Sequence, residues 1–407
     1  MKEDLKSLRI LMVAPTPFFA DRGCHVRILG ELKALNTLGH VTIVCTYHLG
    51  SDIEGARTVR TLRIPWYRRL AAGPSVHKFY IDLLLLWKVL QTCWSFQPDV
   101  IHAHLHEGIV IGKIASFVFR LPVVADLQGS LTDEILDHGF IPQWPWLVRT
   151  SRWIEKQINR MPHQLIASSI NTAQLARGHS RAEETALVIE DGVDAQLFHP
   201  RPFDPVLRAR LGIGPADKVV VFIGVLSPYQ GIDLLLESMP MVLREASHVK
   251  FLILGYPDEG YRQRARELGV DRDAIFTGRI PYSEAPRYLA LGDIAVSPKM
   301  SQTEANQKLF AYMAMGLPAV VFDNPVNREI LGELGVYVEN GSSSAFAEAI
   351  VSLLKSESRA RELGEAGFRK ASAEYTWDSA GRKLERVYRR LVGNFRQSQL
   401  RVQERTP

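Results

Sequence analysis

Polar side chains that could bind a charged or hydroxylated ligand are concentrated before one helix in the second half of the chain. Apolar residues recur at helical spacing through segment 305–315, and Gly316 ends the pattern. Glu304, Asn306 and Lys308 lie at the start of this helix, after a short apolar strand. In an open α/β sheet this position binds anions and sugars, because backbone N–H groups and the helix dipole converge there. We therefore expect Glu304 to contact sugar hydroxyls and Lys308 to contact a phosphate. The simpler alternatives are that Glu304 only stabilises the helix N-terminus, by ~0.3–1 kcal/mol, and that Lys308 is solvated.

The elements that position these residues follow a regular alternation of short apolar runs and amphipathic helices. Strand, helix, strand in this order predicts βαβ units and a parallel sheet. Turn residues and prolines in segment 191–203 break the alternation, and a second βαβ series follows. We therefore predict an α/β protein of two doubly wound Rossmann-like domains that face each other across a cleft. The predicted strands are 8–14, 41–46, 100–103, 122–125, 164–168, 219–223, 250–254, 274–277, 294–297 and 319–322.

Length and composition agree with two globular domains and narrow the class of ligand. The 407 residues are too many for one core, and 46% hydrophobic with 23% charged residues is ordinary globular composition. Three cysteines without paired spacing favour a reducing, cytoplasmic setting over disulfides or a zinc site. A net charge of +5 allows nucleotides or anionic lipids as partners but does not indicate nucleic acid. The polar first residues predict no signal peptide, and no apolar run is long enough to span a membrane.

Further candidate residues lie at the ends of the predicted strands of the first domain. Gly23 follows the first strand, where a glycine allows backbone to approach a ligand closely. Arg22 and Arg27 flank it and could meet phosphate or acceptor, although Arg27 could instead be a charge on the helix surface. Asp126 and Gln128 end another strand at the cleft, where Asp126 could be a general base or could cap the next turn.

Three histidines alternate with other residues in the segment from His102 to His106. Alternation places His102, His104 and His106 on one side of a strand end. Same-side spacing on one strand rarely completes a tetrahedral site, so we expect no metal there. We expect His104 to contact an acceptor at the edge of the cleft.

A basic and aromatic segment extends from Arg57 to Trp94. Its arginines and lysines alternate with tryptophan, tyrosine and phenylalanine, which is typical of a surface for an anionic membrane or a lipid-linked acceptor. The alternative, which we favour from sequence, is a strand and a buried core helix flanked by solvated arginines. Peripheral contact with the inner face of a membrane remains the competing hypothesis.

The order of several short motifs resembles that of the retaining, metal-independent family-4 glycosyltransferases of the GT-B fold. These motifs are Gly23, Leu38-Gly39-His40-Val41, Pro98-Asp99-Val100-Ile101-His102-Ala103-His104, Asp191-Gly192-Val193-Asp194 with Phe198 and Pro200, Phe222-Ile223-Gly224-Val225-Leu226, Gly231-Ile232-Asp233-Leu234-Leu235, Gly278-Arg279-Ile280-Pro281-Tyr282, the helix from Lys308 to Gly316, and Tyr375-Thr376-Trp377. The resemblance covers residues 8 to about 392. It implies an acceptor domain over 1–198, a nucleotide-sugar donor domain over 199–377, a helix over 378–393 that crosses back to the first domain, and a polar tail over 394–407.

The resemblance also implies site residues and a chemistry. Donor binding would use Arg22, Gly23, Gly224, Gln230, Arg279, Ile280, Asn306 and Lys308, and the acceptor would meet His104 and Arg27. Catalysis would involve Glu304, Gln128 and Asp126. The sugar would transfer with retention and without a metal, because the departing phosphate is thought to take the acceptor proton in this family. The products would belong to polysaccharide, glycolipid or secondary-metabolite assembly.

Four positions depart from the family pattern. Val225 and Gln230 stand where family members usually carry the arginine and lysine that hold the donor diphosphate, and Ala311 stands where a glutamate usually contacts the ribose. Gln128 stands where many members have histidine. Lys308, with Lys299, Arg279 or Arg22, could supply the missing charge. The alternatives are a non-catalytic GT-B protein that binds a glycan or partner, and a GT-B enzyme with an unconventional donor or epimerase chemistry.

Overall fold

The computed structural model describes residues 7–20, 23–68, 77–137, 140–177, 186–301 and 304–403. The described residues form two parallel β-sheets, each with helices on both faces, so the predicted pair of doubly wound domains is confirmed. The first sheet has the order β3-β2-β1-β4-β5-β6-β7, and the second has the order β10-β9-β8-β11-β12-β13. None of the described helices is long and apolar enough to cross a bilayer.

The first domain alternates strands and helices as the sequence predicts. Its strands are β1 (Arg9–Ala14), β2 (Val41–Thr46), β3 (Thr58–Arg60), β4 (Val100–His104), β5 (Val123–Leu127), β6 (Gln164–Ala167) and β7 (Leu187–Val188). Its helices are α1 (Gly23–Thr37), α2 (Lys78–Phe96), α3 (Leu105–Phe119), α4 (Leu131–Asp137), α5 (Pro145–Ile158) and α6 (Ile170–Arg177). Strand β1 is buried along its whole length except at Arg9, as expected for a central parallel strand covered on both faces.

The second domain has the same organisation. Its strands are β8 (Lys218–Ile223), β9 (Val249–Leu254), β10 (Ala274–Gly278), β11 (Ile294–Ser297), β12 (Ala319–Phe322) and β13 (Gly335–Val338). Its helices are α7 (Pro205–Arg210), α8 (Ile232–Glu245), α9 (Glu259–Glu267), α10 (Ala285–Leu289), α11 (Lys308–Ala314), α12 (Pro325–Leu331), α13 (Ser343–Lys355) and α14 (Glu357–Glu374).

The last helix, α15 (Trp377–Gln403), returns to the first domain and packs against α1. A Cβ atom at Gly30 would lie 2.0 Å from the Trp377 ring, so only glycine allows α1 to approach this tryptophan. The helix predicted over 378–393 continues to Gln403, so the predicted helix end is wrong, and residues 404–407 of the predicted tail lie outside the described residues. Arg396 pairs with Asp99 at 2.5 Å, which attaches this extension to the first domain.

Candidate functional site

A cavity of about 290 Å³ lies between the two domains, at the carboxyl ends of both sheets. Strand ends and the loops that follow them supply its walls, which is where ligands bind in doubly wound folds. Eight of the residues predicted from the sequence line it: Gly23, Gln128, Gly224, Gln230, Lys299, Glu304, Asn306 and Lys308. Five predicted residues lie outside its lining: Arg27, His104, Asp126, Arg279 and Ile280. Arg22 lies outside the described residues.

Lys308 is the central cation of the second-domain wall. It is the first residue of α11, and its Nζ donates a 2.7 Å hydrogen bond to Oε1 of Gln230. The same Nζ lies 4.1 Å above the ring of Phe222. Gly224 has a φ of +151°, and a Cβ atom at this position would lie 3.0 Å from Nζ of Lys308. The absence of a side chain at Gly224 therefore gives the ammonium group the space it occupies.

The Lys308 ammonium is destabilised in this position. Burial, and in second place the charge of Lys299, hold the pKa of Lys308 well below its ordinary value, while Glu304 acts in the opposite direction. A bound anion would reverse this effect, because it would neutralise the two lysines. The wall is therefore arranged to favour an anionic ligand.

Lys299 fixes the loop that precedes α11. Its Nζ donates to the carbonyl oxygen of Ala305 at 2.7 Å and pairs with Oε2 of Glu304 at 2.9 Å. The apolar pattern placed the start of this helix at about residue 305, which is about one turn too early, whereas the motif from Lys308 to Gly316 gave the correct start. The Ala305 carbonyl bonds to Lys299 instead of to a backbone N–H of the next turn, and the helix begins at Lys308.

The same loop contacts the first domain across the cleft. The Ala305 N–H points to the carbonyl of Gln128 at 3.4 Å, and a Cβ at Gly129 would lie 3.4 Å from Cα of Glu304. Glu304 and Gln128 therefore lie close together in the cavity, on opposite domains. The structure brings these two predicted catalytic residues together.

Asn306 lines the cavity, but its amide bonds to the second domain. Nδ2 donates to Oδ1 of Asn327 at 2.7 Å and to Oγ of Ser297 at 3.0 Å. The side chain is fully buried. These bonds make Asn306 a residue that positions the loop.

Arg279 lies near a contact between the two domains, and Ile280 packs against the core of the second domain. The guanidinium of Arg279 lies 5.6 Å from the centre of the Tyr256 ring. Tyr256 in turn donates a 3.2 Å hydrogen bond to the carbonyl of Ala20 in the first domain. This pair therefore marks a contact between the domains next to the cleft.

Arg27 lies in the interior, and the interpretation of this residue as a helix-surface charge is wrong. Its side chain is 1% exposed. Two of its nitrogens donate to the two carboxylate oxygens of Asp126, each at 2.8 Å, and a third donates to Asp191 at 2.7 Å. Arg27 thereby connects α1, the end of β5 and the linker between the domains. These bonds hold the guanidinium below the cavity, so Arg27 does not contact an acceptor directly.

Asp126 is held ionised below the cavity. Burial alone would raise the pKa of this carboxyl group, but the Arg27 charge and the hydrogen bonds from His104 and Arg27 outweigh burial and lower it far below its usual value. Nδ1 of His104 lies 3.1 Å from Asp126, and Nε2 of Gln128 lies 3.4 Å from it. Asp126 therefore orients Gln128, and both Asp126 and His104 are completely buried.

His106, and not His104, faces the cavity. Strand β4 ends at His104, and Leu105 adopts a left-handed conformation with φ of 60°, so the alternation that would align all three histidines stops there. His106 lines the cavity, with Nε2 3.8 Å from Glu155. This Nε2 has no hydrogen-bond partner among the described residues. The sequence pattern identified the group of histidines but not the member that points inward.

Four buried side chains below the cavity could in principle bind a cation: Glu31, His102, His104 and Asp126. One ligand atom of each lies within 4.8 Å of the others. Asp126 already accepts hydrogen bonds from Arg27, and Nδ1 of His102 lies 2.5 Å from the Tyr388 hydroxyl. The expectation that no metal binds here stays a prediction.

The first-domain wall carries aromatic and polar side chains suited to a hydroxylated acceptor. Tyr47 and Lys78 both line it, and the Tyr47 hydroxyl donates to Asp82 at 2.5 Å. Lys78 pairs with Glu107 at 2.6 Å. Burial raises the pKa of Asp82 to about 6, although the bond from Tyr47 opposes this rise. The sequence placed Lys78 only within the basic and aromatic segment, and it did not single out Tyr47, Asp82 or Glu107, because they lie on separate elements.

Comparison with known proteins identifies the class of the fold and of the site. The family described as "Glycosyl transferase 4-like domain" matches residues 22–192, and "Glycosyl transferases group 1" matches residues 217–356. The two matches fall on the first and second domains respectively. The chain belongs to the family-4-like glycosyltransferases with the GT-B fold.

Similar proteins of known name match most of the chain. Sulfoquinovosyl transferase SQD2 of Arabidopsis thaliana is 25% identical over 387 residues, which are 92% of this chain and 72% of that protein. Phosphatidyl-myo-inositol mannosyltransferase of Mycobacterium leprae is 25% identical over 396 residues, 94% of this chain and 96% of that protein. The similarity therefore spans both domains.

Solved structures share the fold at lower identity. Sucrose-phosphate synthase from Thermosynechococcus elongatus superposes with a TM-score of 0.80 at 19% identity and covers 95% of this chain and 100% of its own. Anabaena HepE, solved in complex with UDP and glucose, superposes with a TM-score of 0.74 at 18% identity. The match covers 94% of this chain and 100% of the HepE chain. These likenesses establish the two-domain architecture.

Proposed function

We propose that this protein transfers a sugar, with retention, from a nucleoside diphosphate sugar to an acceptor in glycolipid or polysaccharide assembly. The observation that carries the proposal is the position of the Lys308 ammonium. It lies in the cleft, hydrogen-bonded to Gln230, the residue that replaces the usual diphosphate-binding lysine. In this chain the start of α11, and not the loop after β8, supplies the cation at this part of the cleft.

Lys308 and Lys299 would together stabilise the departing diphosphate. Charge develops on the phosphate oxygens as the glycosidic bond breaks, and fixed cations in a water-poor cleft lower the energy of that state. In the proposed reaction the bond between the anomeric carbon and the diphosphate breaks, and the acceptor oxygen bonds to the same face of that carbon. The acceptor proton passes to the departing phosphate, so a pair of catalytic carboxylates is not required.

The remaining groups would orient the two substrates. Glu304 and Gln128 meet across the cleft, where both can hydrogen-bond the transferred sugar. His106, Tyr47 and Lys78 lie on the first-domain wall, where they would contact the acceptor. The relative named phosphatidyl-myo-inositol mannosyltransferase supports an acceptor connected with lipid. HepE, solved with UDP-glucose, supports a nucleotide-sugar donor.

The first experiment is a thermal-shift screen against UDP, GDP, ADP and their common sugar conjugates. We expect saturable stabilisation by one diphosphate, because a ligand that binds only the folded state raises its stability. The shift should be lost in Lys308→Met and kept in Glu284→Gln, a matched surface change. NMR of the anomeric proton of the product then tests retention, and unchanged turnover in EDTA tests the proposed independence from metal.

One observation favours a second candidate. Val225 and Ala311 both line the cavity and bring no polar side chain to positions where the family usually has arginine and glutamate. A protein that binds a glycan without transferring it would tolerate this loss. Absence of a shift with every nucleotide, together with a shift on adding a glycan, would replace the transferase by this binding function.

A further inference from the structure

The tryptophans of this protein are distributed with a strong bias. Six of its seven tryptophans have exposed side chains, and all six belong to the first domain: Trp66, Trp87, Trp94, Trp144, Trp146 and Trp153. The seventh, Trp377, is buried between α15 and α1. Tryptophan combines a large apolar ring with a polar N–H group, a pairing that favours the boundary between water and lipid.

Helix α2 is apolar on two opposite sides. One side packs into the core through residues at helical spacing: Ile81, Leu85, Val89 and Cys93. The opposite side carries Phe79, Leu83, Trp87 and Trp94, at intervals of four, four and seven residues, and all are exposed. Trp94 is 79% exposed. An apolar stripe of this length facing outward has no function in the core of the domain.

Two neighbouring helices continue the apolar surface. Helix α3 packs against α2 and exposes Phe117 and Val118, and Phe117 is 86% exposed. Helix α5 packs against α3 and exposes Trp146 and Trp153. Helices α1 and α15 pack together, with Trp377 and Tyr388 of α15 in the same core as Ile28 and Leu32 of α1. We call the exposed apolar residues of α2, α3 and α5 the aromatic face.

The charged side chains of α2, α3 and α5 that are not bonded within the first-domain core are basic. The acidic residues of these three fully described helices, Asp82, Glu107 and Glu155, bond to Tyr47, Lys78 and Thr132 respectively. The remaining charged residues of these helices are Lys88, Lys113, Arg149, Arg152 and Lys156. Apart from Arg152, which pairs with Asp133, they leave the face with a basic rim. A basic rim around exposed aromatic residues is complementary to anionic lipid.

We propose that the aromatic face docks on the surface of an anionic lipid bilayer. The sequence favoured a buried core helix for this segment, but the structure shows that α2 is buried on only one side. The face also adjoins the acceptor side of the cleft, because Lys78 lines the cavity and Phe79 begins the exposed stripe. Docking would therefore present the cleft to an acceptor carried in the bilayer. This last step rests on the proposed function, whereas docking itself does not.

Charge argues against a second copy of the chain as the occupant. Two aromatic faces in contact would bring their basic rims together, and like charges across an interface oppose association. An anionic bilayer instead meets the same rim with opposite charge. The aromatic rings would enter the headgroup region while the lysines and arginines remain near the phosphates.

The test is cosedimentation of the full chain with vesicles of phosphatidylcholine alone or mixed with phosphatidylglycerol. We expect binding to the anionic vesicles that weakens with salt, and at least about tenfold weaker partitioning for the triple variant Trp87→Ser, Trp94→Ser, Phe117→Ser. The double variant Arg149→Glu, Lys156→Glu should lose affinity only for the anionic vesicles, by about fivefold per charge. The control Phe203→Ser, Val206→Ser removes exposed apolar groups from the second domain and should bind normally.

Three results would overturn the proposal. The first is failure of the unmodified protein to bind anionic vesicles, and the second is equal binding by the triple variant. The third is a dimer in sedimentation velocity that the triple variant abolishes, which would assign the face to a second copy of the chain. Nucleotide thermal shifts measured on the same samples separate each result from failure of the proposed transferase function.

Discussion

Nζ of Lys308 lies 2.7 Å from Oε1 of Gln230, so the start of α11 and the loop after β8 together hold one ammonium group in the cleft. The amide of Gln230 accepts from this ammonium and cannot itself neutralise an anion. The positive charge at this position therefore depends on Lys308, and the protonation of one side chain controls it.

Binding of a nucleoside diphosphate should take up a proton. The pKa of Lys308 is lowered in the empty cleft, first by burial and then by Lys299, and a bound diphosphate would raise it again. Affinity should consequently fall as pH rises through the window between the two pKa values. Isothermal titration in buffers of different ionisation enthalpy measures the uptake. Lys308→Arg, which stays charged, should bind without this pH dependence, and Lys308→Met should bind about tenfold to hundredfold more weakly. Equal affinity of the Met variant and the unmodified protein would contradict this role.

Gly224→Ala should reduce donor affinity more than its effect on folding explains. The added Cβ would lie 3.0 Å from Nζ of Lys308, so the ammonium must shift. Gly212→Ala is the matched control, since Gly212 also has a positive φ, +71°, but has nothing within 4 Å of the added Cβ. We expect both variants to lose roughly 1–3 kcal/mol of stability from backbone strain. Nucleotide titration at a temperature where both are folded should separate them, and equal affinities would refute the steric argument.

Arg27→Met should destabilise the first domain strongly. Removal of the guanidinium leaves the buried carboxylates of Asp126 and Asp191 without their partner, a change that typically costs about 3–5 kcal/mol. Arg328→Met breaks an exposed pair with Asp323 and should cost less than about 1 kcal/mol. Urea unfolding followed by circular dichroism gives both values. Similar small losses in the two variants would mean that the buried network contributes little.

Asp82 should make the folded state less stable as pH rises from about 4 to about 6. Burial raises the pKa of Asp82 to about 6 in the folded protein, against an ordinary value of 3.8. The folded state therefore binds more protons than the unfolded state within that window, and stability falls with rising pH by about 1–3 kcal/mol. Asp82→Asn keeps an acceptor for the Tyr47 hydroxyl and should flatten this part of the stability profile. An unchanged slope in thermal unfolding between these pH values would count against the prediction.

Sequence patterns predicted the strands with long apolar runs best. The predicted bounds 41–46, 294–297 and 319–322 are those of β2, β11 and β12, whose mostly apolar and β-branched residues are typical of strands buried on both faces. The missing strands are β3, β7 and β13, whose residues are mostly half-buried and give no such run. The end of α15 was misplaced because its last turns are polar and contact the first domain through single side chains.

The sequence predicted only part of the site, and the physical reason differs from the one that applies to the strands. Motifs at strand ends identified residues of the cavity wall such as Gln128, Gly224 and Lys308, since the topology brings strand ends to one edge. Contacts between distant segments gave no sequence signal. Arg27 bonds to Asp191, which lies 164 residues further along the chain. Lys299 is buried by the loop before α11, and the path of this loop depends in turn on the bonds that Lys299 makes to it.

The distribution of tryptophan gives this protein a fluorescence spectrum that reports on two separate events. Emission from the six exposed indoles should be red-shifted and open to quenching by iodide, and it should respond to anything that covers the helices of the first domain. Trp377 alone is shielded, and it contacts Gly30 where the chain returns from the second domain. After the exposed indoles are quenched, the residual blue emission therefore follows the attachment of α15 to α1, without any added label.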